Sequence, residues 1–190
     1  MNFSFKKVFP YLISLIAILL VSIFHFYPQL EGKKIPQGDI ISFLGMSQEI
    51  REFEEKHGEE MLWTNSMFGG MPSYQIKSNQ PGNLTRYVFD AMRLFIDRPI
   101  GKFFMMSLCF FILLLTFRVN VWLSLIGSLL AGFCTNNLVL YEAGHITKLN
   151  SIATGALVLS GVLLLFREKY ISGGAIFSLG LSLNLLTNHV

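Results

Sequence analysis

Apolar residues in this chain come in long uncharged runs separated by short polar clusters. No Asp, Glu, Lys or Arg occurs in residues 8–27, 119–141, 149–166 or 170–190. Each run is near or above the roughly 18–20 apolar residues that cross a hydrocarbon core of about 30 Å. Residues 103–117 form a shorter run bracketed by Lys102 and Arg118, whose stems can carry their charges toward an interface. The pattern predicts an all-α fold, a polytopic transmembrane helical bundle of about five spans.

The stretch between the first two runs, residues 28–99, has a periodicity of its own. Ile40, Ile41, Phe43, Leu44, Met46, Ile50 and Phe53 recur at roughly helical spacing and run into an acidic region, residues 49–60. That suits an amphipathic helix lying on the membrane surface or against the bundle. Residues 84–95 repeat the pattern. Between them, residues 62–72 mix aromatics with a Gly-Gly pair and a proline, which predicts an ordered, irregular loop rather than a disordered tether. The expected organisation is residues 1–27 as cytoplasmic N-terminus and first span, 28–99 as a large extracytoplasmic loop, and 100–190 as the remaining spans.

Composition agrees with the pattern, at 52% hydrophobic against 14% charged residues. The net charge of +3 comes with no basic stripe outside the flanks of the runs, so nucleic acid is not an expected partner. Lys6 and Lys7 precede an apolar run that is long for a cleaved signal and has no small-x-small site after it, so it reads as a signal-anchor. Cys109 and Cys134 fall inside predicted spans as small packing residues, without disulfide or metal-ligand spacing. Lys6, Lys7, Arg118, Arg167 and Lys169 all lie in short connections that are cytoplasmic if the N-terminus is inside. That orientation puts residues 28–99 and the 141–148 connection on the outer face.

Candidate chemistry gathers on the same face. Asp39 follows the first span and leads into the amphipathic stretch. It reads as a helix N-cap, as a carboxylate at the membrane boundary acting as base or metal ligand, or as both. Glu142, His145 and Lys148 put an acid, an imidazole and an ammonium within seven residues of an otherwise uncharged region. They are either ordinary charges of an interfacial turn or donors for a phosphate head group, with Glu142 as a second carboxylate or as the partner of Lys148. Trp63 and Tyr74 are membrane anchors or platforms for a sugar face. His189 would stand at the outer end of the last span. Nothing resembles a nucleotide-binding glycine loop, a Cys/His zinc site or a Ser-His-Asp system.

Gly38-Asp39, the Trp63-Thr64-Asn65-Ser66-Met67-Phe68-Gly69-Gly70-Met71-Pro72 segment, Gly144-His145-Ile146-Thr147-Lys148 and Asn188-His189 together resemble the YfhO family of bacterial membrane proteins in its Bacteroidetes-type form. The resemblance covers nearly the whole chain. That family is similar to GT-C glycosyltransferases, multi-span enzymes that take a sugar from a polyprenyl-phosphate carrier on the outer membrane face. It implies a catalytic role for Asp39, a second carboxylate in Glu142, lipid-phosphate binding by His145 and Lys148, and substrate contacts from Trp63, Asn65, Tyr74 and His189. It further implies a bacterial inner-membrane location and a cell-envelope glycopolymer or glycan as acceptor. No cofactor is fixed by these residues, and a divalent cation, Mg or Mn, would take Asp39 and Glu142 as ligands. Family members continue through further spans and an outer domain, so this chain is expected to be an N-terminal part. The alternative from a different class is a non-enzymatic transporter or envelope-assembly scaffold, with Asp39 as a cap only.

Overall fold

The computed structural model describes residues 5–77, 82–96 and 99–187. The chain divides into two compact units, one of Met1–Lys34 with Leu84–Val190 and one of Ile35–Asn83. The first is a helical bundle: α1 (Phe5–His25), α4 (Thr85–Met92), α5 (Ile100–Thr116), α6 (Val121–Gly132), α7 (Thr135–Ala143), α8 (Ile146–Phe166) and α9 (Tyr170–Leu186). The second holds α2 (Gly38–Met46), α3 (Gln48–His57) and a short antiparallel pair, β1 (Trp63–Thr64) with β2 (Met71–Pro72).

α1 and α8 are long and apolar enough to cross a membrane, and α6 with α7 passes the same test as one segment bent by 44°. α5 and α9 are apolar but shorter, at 17 residues each. α1 buries Ser14, Ile18 and Ser22 on one face yet exposes Leu12, Ile16, Leu20 and Phe24 on another. A helix apolar on every side with one face open suits a hydrocarbon surround, because water would penalise that face. Ser14 and Ser22 donate to the Pro10 and Ile18 carbonyls, so their buried hydroxyls are satisfied within the helix.

The central helix is α5, with twelve of its seventeen residues buried. Phe104 and Phe111 pack with Ile18 of α1, while Phe103, Met106, Cys109 and Leu113 join α8 and α9 residues in the main core. Hydrogen bonds fix which helix ends meet. At one end the Ile100 N–H donates to Gln29 Oε1 (3.0 Å), and Asn184 Nδ2 donates to the Ser151 carbonyl (3.0 Å) and Thr154 Oγ1 (2.9 Å). At the other end Arg167, just past α8, donates to the Thr116 carbonyl at the close of α5.

Four details differ from the sequence pattern, each for a local reason. The 119–141 run breaks because Asn137 Nδ2 donates to the Ala131 carbonyl (2.7 Å), occupying an acceptor that a continuing helix would use. Cys134 is exposed and N-caps α7, while Cys109 is buried as expected. The 40–53 stretch breaks at Ser47, whose hydroxyl turns back on Phe43 O (2.7 Å), and Arg51 caps α2 through Leu44 O (2.6 Å). Lys102 does not reach outward. It is 5% exposed, donates to Asn150 Oδ1 (2.7 Å), and lies 4.3 Å from the centroid of the Phe89 ring.

Candidate functional site

In the bundle, the α7–α8 corner carries three of the candidate residues. Gly144 ends α7 in the left-handed conformation (φ 91°), which lets the chain reverse into α8 within two residues. Glu142 is exposed on the last turn of α7, His145 is the half-buried N-cap of α8, and Lys148 is exposed in the first turn of α8. The ion pairs among the described residues are Lys33–Glu31, Lys77–Glu54 and Arg93–Asp90, so Glu142 and Lys148 do not neutralise each other. No side chain caps the start of α8. The Ile146 N–H donates to Gly144 O (2.7 Å), and the first turn of the helix, its dipole and Lys148 present positive charge in one place.

The corner rests on aromatic packing. Tyr141 is 2% exposed, with its ring 5.8 Å from Phe26 and 6.5 Å from Phe103. Phe103 packs in turn against Phe133 at a tilt (4.7 Å), and Phe133 meets His25 edge-on (4.9 Å). Beside His25 an apolar groove of about 680 Å³ runs along Leu20, Ile23 and Phe24 to Tyr27, open on the side where Leu20 and Phe24 are exposed.

In the other unit, Asp39 is exposed in the first turn of α2, and the N-cap is Gln37. Asp39 therefore complements the helix dipole from within the turn rather than capping it. Trp63, Asn65 and Tyr74 are all exposed, on or beside the β1–β2 hairpin. Trp63 lies against Gly70, where an added Cβ would come 2.8 Å from the indole nitrogen, so only glycine leaves room for the ring. Phe68, at the tip, has φ of 51° and is 88% exposed. His189 and Asn188 lie outside the described residues.

The sequence did not single out the group that holds this hairpin. Glu49 Oε2 accepts from the Thr64 hydroxyl and from the N–H groups of Asn65 and Ser66 (2.9 Å each), and Ser66 Oγ donates to Met46 O (3.3 Å). Thr64 is fully buried. The Thr64 hydroxyl is the main cause that holds the Glu49 carboxyl below its usual range. Partial desolvation pushes the other way, and the Ser66 and Asn65 N–H groups add to the lowering. The folded hairpin thus favours the carboxylate, so its contribution is complete above pH 4.5 and is lost as pH falls through the lower folded value. With Trp122→Phe leaving Trp63 as sole tryptophan, Trp63 emission should hold steady down to that pH and shift only below it. Glu49→Gln should already show the shifted emission at neutral pH. A transition above pH 5, or a variant with unchanged emission, would contradict the latch.

Lys102, Asn150 and Asn184 were also missed as partners. The available signal was the presence of polar residues inside or at the edge of apolar runs, which marks them as paired but does not name the pair. Among the described residues no three His, Cys, Asp or Glu side chains come together as a cation site, Asp39 and Glu142 included. Comparison with protein-family models, curated proteins and solved structures gives no match to this chain.

Proposed function

We propose that this chain is the N-terminal part of a YfhO-like membrane glycosyltransferase of the bacterial inner membrane, with five spans, a cytoplasmic N-terminus and residues 28–99 outside. It transfers a sugar from a polyprenyl-phosphate carrier to a cell-envelope acceptor. The observation that carries the reading is the uncapped start of α8 with His145 and an unneutralised Lys148, an arrangement suited to a phosphate. The open apolar groove beside His25 is a surface on which part of an isoprenoid tail could lie. Orientation is supported by the basic residues Arg118 and Arg167, which lie at the α5–α8 end opposite the α7–α8 corner.

In the reaction, an acceptor hydroxyl oxygen bonds to the anomeric carbon as the bond from that carbon to the phosphate oxygen breaks. The hydroxyl proton passes to the Asp39 carboxylate, and polyprenyl phosphate leaves with its negative charge facing Lys148 and His145. Glu142 orients the acceptor, and Trp63, Asn65 and Tyr74 contact the sugar or the acceptor, with His189 assigned the same role. Lys148→Met should weaken binding of polyprenyl phosphate by about tenfold, the worth of one charge-assisted hydrogen bond. Titration of the full-length protein in nanodiscs measures this, and an unchanged affinity would remove Lys148 from the phosphate site. Retained binding with no transfer by the wild type would favour the scaffold or transporter reading.

A further inference from the structure

The apolar stretch that the sequence presents as one amphipathic helix is two helices of different character. α2 has no buried residue, although its side chains are mostly apolar. At about 100° per residue, Ile40, Ile41, Phe43 and Leu44 fall within an arc of roughly 160°, with Gly38, Asp39, Ser42 and Gly45 opposite. Ile41 is 63% and Leu44 44% exposed, with Phe43 exposed and Ile40 half-buried, so most of this face is not covered by the protein. α3 differs, since it buries Ile50 and spends its carboxylates on Glu49's latch and the Glu54–Lys77 pair.

A nine-residue helix is too short to be stable alone in water, and α2 has no side-chain cap at its N-terminus and no buried residue, while Ser47, Arg51 and Ser66 bind only carbonyls of its last turn. Its apolar face is left for a surface outside the protein to cover. The segment stands thirteen residues after the end of α1, a helix long and apolar enough to cross a membrane. Such a linker reaches at most ~45 Å even when fully extended, and this one is shortened by the turns at Tyr27–Gln29. Charge is polarised as well. Of the seven acidic side chains between Ile35 and Asn83, six lie on α3 or directly after it, and only Asp39 is on α2.

We infer that α2 is a membrane-surface anchor, seated with Ile40, Ile41, Phe43 and Leu44 in the acyl boundary of the outer leaflet and with the acidic α3 turned to water. The attachment is apolar, so it needs no anionic lipid and resists salt. It holds Asp39 at head-group level, on the polar side of the same helix. The anchor stands whether or not the protein transfers a sugar.

The test uses the full chain in neutral phosphatidylcholine nanodiscs. Cys134→Ser removes the exposed thiol at a position where serine is a good N-cap, and Cys109 is buried. An environment-sensitive fluorophore is then placed at Ile41→Cys, Leu44→Cys or, as control, Glu55→Cys. Lipid-borne spin labels should quench the Ile41 and Leu44 probes at least about twofold, because an apolar face seated ~5–10 Å into the boundary lies beside them. The Glu55 probe should be little affected. Quenching at Ile41 and Leu44 no greater than at Glu55 overturns the anchor, whether the probes then report water or a dry protein surface.

Discussion

Asp39→Asn is expected to lower sugar transfer by about 10²–10⁴-fold, the usual contribution of a positioned general base, while leaving membrane insertion and abundance unchanged. The amide cannot accept the acceptor's proton, so the hydroxyl would have to attack without losing it. Structural damage is not expected, because Asp39 is exposed, follows the N-cap Gln37 and sits on a helix with no buried residue. The interaction of its charge with the helix dipole is worth about 0.3–1 kcal/mol. The measurement is the rate at which labelled sugar moves from polyprenyl phosphate to the acceptor, with wild-type and variant proteins at equal density in vesicles. Wild-type rates in the variant would sink the assignment of Asp39 as the base. A fall in rate matched by a fall in inserted protein would make Asp39 structural.

Gly161→Leu should separate α8 from α9. A Cβ on Gly161 would lie 2.4 Å from the Phe177 backbone nitrogen, and one on Gly180 would lie 2.8 Å from that of Val158. Both obstacles are main chain of the neighbouring helix, so relief requires moving the whole helix. Small residues at such crossings allow close backbone approach, the main source of helix association where water supplies no hydrophobic drive. The Asn184 bonds to Ser151 and Thr154 depend on that same approach and would lengthen with it. A cost of about 1–3 kcal/mol or more is expected from overpacking. Thermal unfolding in detergent should show it as a lowered midpoint. Gly155→Ala and Gly174→Ala are the controls, since a Cβ meets nothing within 4 Å at either position. These should be neutral or mildly stabilising, because alanine favours a helix over glycine by about 1 kcal/mol. Gly161→Ala behaving like Gly155→Ala would show that α8 and α9 do not rely on the close approach.

How much of this was legible in the sequence depends on the range of the interaction. The apolar runs announce α1, α5, α8 and α9 because helix length and hydropathy are local properties. The break between α6 and α7 was not announced, since it turns on one Asn137 amide choosing the Ala131 carbonyl over water. The division of the 40–53 stretch at Ser47 is similar, being decided by Arg51 reaching back to Leu44. Glu49 was hidden among neighbouring acids of equal appearance. Only the fold brings Thr64, Asn65 and Ser66, some fifteen residues later, onto that one carboxylate. Lys102 looked like a flanking charge because its partners, Asn150 and Phe89, lie on other helices. Among the candidate residues, Glu142, His145 and Lys148 were grouped by sequence proximity alone, and the αL turn at Gly144 explains why that proximity survives folding.

Sugar transfer at the outer face, as proposed, is open to a direct assay. Full-length protein is reconstituted into vesicles that carry a polyprenyl-phosphate sugar with an isotopic label, and a membrane-impermeant glycan acceptor is supplied on one side. Labelled glycan, with release of polyprenyl phosphate in equal amount, is expected only when the acceptor is on the side that carries Asp39. Carrier that is bound or moved across the bilayer with its sugar still attached would contradict transfer.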